Sequence, residues 1–534
     1  MKKPAVKSLG RSGVLLSSAA LASRLLGWVR ITVLIAIFGT TGQLDPLLAA
    51  FRLPDIVFGL VAAGSFSTVL VPALAGLHAR GEVQRARALF ASFFLLIGSV
   101  LLLLFLLAFA ASDRFSEVVF AGMSIASRAE ARDLSRILLF STSLLALSSI
   151  GAAAAAAADR FVATAANGII YNLGTIAGAL IGGVAAGGFG AAVGTATGAL
   201  LVFALSLRAL ATSPFRPSAP NLRDPMIPQL IRSLAPRIAS ALSVQVLFAY
   251  FIGVAAGLGP GSITLWSYAF TLLQVPLALV SSAMATAILP RASRMAAQAN
   301  LSALAGITRE SIGVIATIYA PMIWVGIVLA PQLVGLATGI SSSAETVGQM
   351  AGLLSILLLG LCGHGVTALL MRIFYSLGDT VRPTLSDLAY DVLGVAIAAL
   401  LVPKYGLAAL AGALSASAWA QAALLSWQVR RRVPQLRWWD LFGQQLAPLL
   451  LALPAACAAY LLIAELDNLG VSPVTDLVCL VAGGSAAVAV YVFALFAIQP
   501  SASTSLAIAL FKAVPVTRRL VRLGGARSRW SADA

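Results

Sequence analysis

Acidic residues are scarce in this chain: 19 Asp and Glu stand against 36 Lys and Arg over 534 residues. Charge of either sign is thin, at 10% of the sequence. A soluble fold of this length carries far more, because its surface must face water. Cysteine and histidine are scarcer still. Cys362, Cys457 and Cys479 are widely spaced, each inside an apolar run, which excludes a disulfide framework and fits small buried side chains. His78 and His364 are isolated, without a ligand partner at helical spacing, so no metal site is read here. The sequence contains no P-loop and no nucleophile elbow, and nothing in it points to an enzyme or to a bound cofactor.

Apolar length is what the chain has instead. It is 60% hydrophobic, its mean hydropathy is +0.96, and runs near 20 residues recur along it. Each run is long enough to cross a bilayer core of ~30 Å. The fold class is therefore all-α and polytopic, with about fourteen spans. The net charge of +17 lies in short loops and tails between the runs, which argues against nucleic acid as a partner. The basic start, Met1-Lys2-Lys3, resembles a signal peptide, but no small-residue cleavage pattern follows and the first run contains arginine. It reads as a retained first span.

Spans one to six fill 1–207 as an N-lobe. A linker with Pro214, Pro217, Pro220, Pro225 and Pro228 occupies 208–237 and marks a domain boundary. Spans seven to twelve fill 238–429 as a C-lobe, spans thirteen and fourteen fill 430–498, and a basic tail covers 499–534. Ser67-Thr68-Val69-Leu70-Val71-Pro72 ends span two, and Ala285-Thr286-Ala287-Ile288-Leu289-Pro290 ends span eight. The match suggests two six-helix lobes in parallel repeat, a common transporter design. Basic residues crowd the loops on the side of the N-terminus. Across the membrane only Arg114, Arg128, Arg132, Arg136 and Lys404 stand, the first four in a loop that also holds carboxylates. The positive-inside rule then puts both termini and the linker in the cytoplasm.

Three arginines sit where lipid should be. Arg24 and Arg30 interrupt the first apolar run, and Arg52 the second, with Asp45 and Asp55 nearby. An arginine at bilayer depth costs at least ~2.5–3.5 kcal/mol and normally faces a bundle interior or a wet cavity. Gly27, between the first two, permits a bend that turns both inward. Three cations with two carboxylates leave a net positive cavity, which suits a phosphate. Snorkelling, or an ion pair from Arg52 to Asp55, is the structural alternative. Asp387 and Asp391 share one helix face early in span eleven, a spacing suited to a Na+ or proton site, with Ser415 or Ser417 of span twelve as a neighbour. A salt bridge from Asp387 to Arg372 is the alternative. The basic loop Arg430-Arg431-Arg432 to Trp439 fits orientation by charge or contact with anionic membrane lipids.

These motifs resemble one family. Ser23-Arg24-Leu25-Leu26-Gly27-Trp28-Val29-Arg30, Asp45, Ala50-Phe51-Arg52-Leu53-Pro54-Asp55, Gly64-Ser65-Phe66-Ser67 through Pro72, and Phe374-Tyr375-Ser376-Leu377-Gly378-Asp379-Thr380-Val381-Arg382-Pro383 look like the MurJ (MviN) lipid II flippases of the multidrug/oligosaccharidyl-lipid/polysaccharide exporter superfamily. The resemblance implies a V-shaped pair of lobes with two extra C-terminal helices that hold a lipid tail. It implies a cationic cavity for the pyrophosphate and head group of an undecaprenyl-linked glycan, with Arg24, Arg30 and Arg52 as its ligands. Ser23, Gly27, Asp45, Asp55 and Gly64 would support the cavity or gate. Transport would run by alternating access, driven by membrane potential, Na+ or H+, in the bacterial cytoplasmic membrane, with cell-wall synthesis proteins as neighbours. The chain departs from the family pattern at Phe58 and Gly59, where a pair of arginines is usual, and at Ala63, Ile31, Thr271 and Gln274, where charged residues are usual. A carrier of another lipid-linked glycan, a multidrug-type antiporter and a non-transporting membrane scaffold are the alternative functions.

The charge asymmetry makes a checkable statement about topology. A cysteine at Asn468 or Ser472 should react with an impermeant thiol reagent from outside the cell, and one at Arg431 should not. The reverse pattern would invert the membrane orientation.

Overall fold

In hydrocarbon a backbone N–H or C=O has no water to bond, so a spanning chain must satisfy these groups within itself. The computed structural model of this protein follows that constraint. It describes residues 6–62, 66–158, 160–216, 218–338, 343–466 and 473–498, and among them there are helices and turns but no strand. In chain order the helices begin with α1 (Val6–Phe38), α2 (Asp45–Ala50), α3 (Arg52–Ala62), α4 (Phe66–Ala79), α5 (Val83–Val119) and α6 (Ile125–Ala156). Next come α7 (Val162–Gly182), α8 (Gly188–Ala211), α9 (Met226–Gly257), α10 (Ser262–Ala297), α11 (Leu301–Val328), α12 (Ala330–Thr338) and α13 (Ala344–Leu359). The last are α14 (Leu361–Ser376), α15 (Val381–Tyr405), α16 (Leu407–Arg432), α17 (Gln444–Leu451), α18 (Leu453–Leu466) and α19 (Pro473–Ile498), with a π-helical turn at Trp439–Gly443. Ten stretches among the described residues are helical, long and apolar enough to cross a membrane, with shorter apolar helices beside them. The two proline-ended strings occupy equivalent places: Pro72 and Pro290 each stand inside a helix, seven residues before its last residue, Ala79 and Ala297.

The helices group into two units. The first holds 1–275, 337–357 and 379–421; the second holds 276–336, 358–378 and the chain from 422 onward. In the first unit α7 packs on α8 and on α1, α6 on α8, and α9 on α3 and α15. Glycines set the α7–α8 distance. Gly174, Gly178 and Gly182 recur every fourth residue on α7, against Gly190, Gly194 and Gly198 on α8. A Cβ added at Gly178 would lie 2.6 Å from Gly194 Cα and strike the Gly190 carbonyl as well. Between the glycines the hydroxyls of Thr175 and Thr195 bond at 2.7 Å, a buried polar contact suited to lipid surroundings.

The proline-rich segment after α8 is strapped to α4 and α5. Phe215 is fully buried and meets His78 edge-on at 5.5 Å. Arg87 Nε donates to the Pro214 carbonyl at 2.8 Å, and Asn221 N–H donates to Ser92 Oγ at 2.7 Å. Arg85 grips both oxygens of Asp224 at 2.9 and 3.3 Å. This hydrogen-bonded guanidinium holds the Asp224 carboxyl below the usual range. At the other end of α5, Arg132 and Arg136 reach Asp113 at 3.2 and 2.8 Å, and Arg114 reaches Glu117 at 3.0 Å. The arginines that broke the loop-charge pattern are thus largely neutralised by local carboxylates.

In the second unit α11 is the centre, with α14, α17 and α18 packed on it. Ala320, Ala452, Ala455, Ala459, Ala487, Tyr491 and Leu495 form its core. The Tyr491 hydroxyl donates to the Thr317 carbonyl at 2.8 Å and ties α19 to α11. Arg309 holds Asp440 at 2.9 Å where the π-helical turn opens α17.

The glycine contact predicts a sharp positional effect. Gly178→Ala should lower the thermal midpoint of the detergent-solubilised protein, at an overpacking cost of ~1–3 kcal/mol. Gly484→Ala on α19, where an added Cβ meets nothing within 4 Å, should leave it unchanged or raise it. Equal midpoints for both variants would mean that α7 and α8 separate freely.

Candidate substrate-binding cavity

The break between α2 and α3 places Arg52 at the first position of a helix, with Pro54 in the first turn where it is tolerated. A cation there opposes the helix dipole and a carboxylate suits it. Asp55, one turn on, meets both needs: it forms an ion pair with Arg52, Nη2 to Oδ2 at 2.6 Å. The pair is open enough to meet a ligand, the side chains being 22% and 37% exposed. Arg52 Nε, by contrast, is buried without a hydrogen-bond partner. Such an orphan donor is expensive unless something occupies it.

Both residues line a cavity of about 420 Å³ together with Arg30, Phe51, Tyr171, Gln245, Trp266, Ser267, Phe270 and Thr271. The guanidinium of Arg30 lies 5.9 Å from the ring centres of Phe51 and Tyr171, at the outer edge of a cation–π contact. Arg30 makes no ion pair among the described residues. The lining thus carries two guanidiniums and one carboxylate. The wall from α9 and α10 is neutral: Gln245, Ser267, Thr271 and the stacked rings of Trp266 and Phe270.

The other residues singled out from the sequence fall elsewhere. Arg24 is exposed and is not part of this lining; it stands six residues before Arg30, ~9 Å along the axis. α1 is continuously helical through Gly27 and carries Arg30 to the cavity. Ser23 and Gly27 lie at the α1–α7 seam. Asn172 Nδ2 donates to the Ser23 carbonyl at 3.2 Å and to Gly168 at 2.7 Å, and a Cβ on Gly27 would meet Asn172 Oδ1 at 4.0 Å. This seam fixes the register of α7 and so the place of Tyr171.

Asp45 caps a helix. Its carboxylate accepts from Gly261 N–H at 2.7 Å, Thr264 N–H at 2.9 Å and Thr264 Oγ1 at 2.6 Å, at the start of α10. Gly261 has φ +86, and a Cβ there would run into the Thr40 carbonyl. Gly64 and Ala63 lie outside the described residues.

Two departures from the family pattern acquire a physical reason. Gly59 is buried against α9, and an added Cβ would meet Gln245 Cγ at 2.8 Å, so a larger residue there has to displace the Gln245 side chain. Thr271 lines the cavity with its hydroxyl turned back to the Ser267 carbonyl at 2.7 Å, so its wall presents no charge. Phe58 packs against the core around Leu70 and Phe90, and Gln274 is exposed.

Asp387 and Asp391 meet different partners. Gln421 Nε2 donates to Asp387 at 2.9 Å, and Ser243 Oγ of α9 donates to Asp391 Oδ2 at 2.5 Å. Asp391 Oδ1 is buried without a partner, as is Ser417 Oγ. Ser417 flanks Gly394, one turn from Asp391. Ser415 points the other way, donating to the Ile356 carbonyl at 2.8 Å. Sequence reading named Asp391 but overlooked Ser243; a lone serine in an apolar helix gives no signal.

Long apolar helices around a buried, charged cavity define a polytopic helical membrane transporter. A sequence profile described as lipid II flippase MurJ matches residues 34–475. The chain is 27% identical over 443 residues to a probable lipid II flippase MurJ of Vibrio cholerae serotype O1, covering 78% of this chain and 82% of that one. It is 27% identical over 451 residues to a probable lipid II flippase MurJ of Rhizobium tropici, covering 81% and 83%. Among solved structures, a lipid II flippase MurJ in an inward closed conformation superposes with a TM-score of 0.74 at 17% identity, covering 91% of this chain and 99% of that one. An inward-facing multidrug resistance transporter of the MATE family follows at 0.66 and 16%, covering 77% and 94%. The chain belongs to the lipid II flippase MurJ family, and its fold is the one these two structures share.

Proposed function

We infer that this protein translocates lipid II, the undecaprenyl-pyrophosphate-linked peptidoglycan precursor, across the bacterial cytoplasmic membrane by alternating access. The observation that carries the reading is the cavity itself. Arg30, without an ion pair among the described residues, and Arg52, with a buried orphan Nε, line one space, an arrangement suited to a diphosphate. Charge-assisted contacts of this kind contribute roughly 1.5–3 kcal/mol each. A volume of about 420 Å³ lies at the small end of ligand pockets, ~300–1,000 Å³. It suits the diphosphate and adjoining sugar, with the remaining head group outside. An apolar groove on α19, lined by Leu480, Val481, Gly484, Ser485, Val488, Ala489 and Val492, fits the role of the C-terminal helices in holding the lipid tail. Both termini lie in the cytoplasm on the loop-charge argument, and enzymes that polymerise the delivered precursor are the expected protein neighbours.

A second reading, a carrier of another lipid-linked glycan, is favoured by the neutral wall at Thr271 and by Gly59. Expression of this chain alone during depletion of a host's known lipid II flippase separates the two. Rescue supports lipid II; failure of rescue at normal protein level supports the other cargo. In the rescuing background Arg30→Ala and Arg52→Ala should each weaken cargo binding about tenfold or more and abolish growth. Arg24→Ala should act more mildly, since Arg24 is outside the lining. Full rescue by both cavity variants would remove the cavity from the mechanism.

Energy coupling follows from charge. An empty, positive cavity returns to the cytoplasmic side with an inside-negative potential, worth at most ~2.3 kcal/mol per charge per 100 mV. Asp391, with Ser243, Ser417 and the Asp387–Gln421 pair, is an oxygen-donor set suited to Na+ or a proton, and such a cation assists by binding one state better than the other. Translocation into reconstituted vesicles should therefore fall when the potential is collapsed, and Asp391→Asn should slow it less than loss of Arg30 or Arg52. Transport indifferent to potential but lost in Asp391→Asn would make the cation the driver.

A further inference from the structure

We propose that Asp55 is a built-in counter-ion that occupies Arg52 while the cavity is empty and is displaced by the anionic head group during each cycle. The inference rests on the reading of the cavity as a diphosphate site and adds a specificity and release determinant to it.

Asp55 is the one carboxylate in a lining that otherwise holds two guanidiniums and neutral groups. Its closest approach to Arg52 is Nη2 to Oδ2 at 2.6 Å, from one turn further along the same helix. The pair leaves part of the guanidinium unused. Arg52 Nε is buried with no partner, although an arginine fork can give two parallel bonds to one oxyanion. The contact also leaves Arg30 outside any ion pair among the described residues, beside the rings of Phe51 and Tyr171. A purely structural salt bridge at this depth would be expected to satisfy its buried donors, since half-satisfied buried pairs are poor sources of stability. A pair that shields Arg52 while leaving a donor free is instead suited to exchange. A diphosphate oxygen can take Nη2 and Nε together while its other phosphate meets Arg30.

Exchange has a consequence opposite in sign to that of a supporting residue. Once displaced, the Asp55 carboxylate remains beside the bound diphosphate and repels it. It therefore weakens binding, and it re-forms its bond with Arg52 as the cargo leaves, which speeds release. A residue that merely orients Arg52 would strengthen binding.

The test uses the full chain in nanodiscs, with inorganic pyrophosphate titrated calorimetrically, and the same variants in vesicles carrying a fluorescent polyprenyl-pyrophosphate glycan. Asp55→Asn should bind pyrophosphate about tenfold more tightly, the effect of ~1.4 kcal/mol of relieved repulsion, with a slower translocation rate. Asp55→Glu, which restores the charge, should return both towards wild type. Weaker or unchanged pyrophosphate binding in Asp55→Asn, with Arg30→Gln and Arg52→Gln still abolishing it, would overturn the counter-ion role and leave the anion site standing. Unchanged binding in the arginine variants too would overturn both. Should Asp55→Asn fold poorly, as judged by its thermal midpoint, Asp55→Ser provides the same neutralisation, and the same tightening is required of it.

Discussion

A guanidinium at membrane depth must be paired, stacked or solvated, and the first unit of this protein is arranged around that requirement. Arg52 takes the carboxylate one turn away; Arg30 takes two aromatic rings. The second solution is not local. The Tyr171 ring reaches Arg30 only because α7 is held against α1 by Asn172 and against α8 by facing glycines. The neutral wall reaches the cavity because Gly59 lets α9 approach α3 until Gln245 nearly touches its backbone. Side-chain volume is removed at two seams so that charge can be placed at a third.

The same economy explains Asp45. With so few carboxylates in the chain, one placed near three arginines in sequence looks like part of their charge balance. In the structure it satisfies three donors at the start of α10. The first helical N–H groups have no intrahelical acceptor, and in a membrane protein water is a poor substitute. Here a carboxylate is committed to architecture, and Asp55 alone is left to face the cations of the cavity.

The helices were legible because lipid demands apolar length, and Arg30, Arg52 and Asp55 were legible because charge interrupts it. What escaped is instructive. Tyr171 and Gln245 complete the lining, but a neutral polar residue in an apolar helix gives the same signal as a packing residue. Ser23, beside Arg24, and Gly27, between Arg24 and Arg30, were drawn towards the site by these neighbours, while helical geometry sends them to the α1–α7 seam. Ser415 and Ser417 were equal candidates on paper. Two residues turn a helix by about 200°, so one bonds a carbonyl of α13 and the other faces α15 beside Gly394. Only the packed neighbours distinguish such pairs.

On the proposed reading of the cavity, its single carboxylate would also decide how a membrane potential acts on the cycle. A diphosphate diester brings two negative charges, so the total charge exported per turnover is fixed by the cargo, whatever the protein contributes. The protein sets how that work divides between the two legs. With Arg30, Arg52 and Asp55 the empty lining carries one positive charge, and the loaded one carries one negative charge. An inside-negative potential would then drive both movements, the loaded cavity outwards and the empty one inwards, each by at most ~2.3 kcal/mol per 100 mV. Without Asp55 the empty lining would carry two positive charges and the loaded one none. The potential would then do all its work on the return, and the outward step would have no electrical help. A counter-ion in the cavity therefore equalises the two legs without changing the overall driving force, at the expense of affinity for a cargo whose release must not become the slow step.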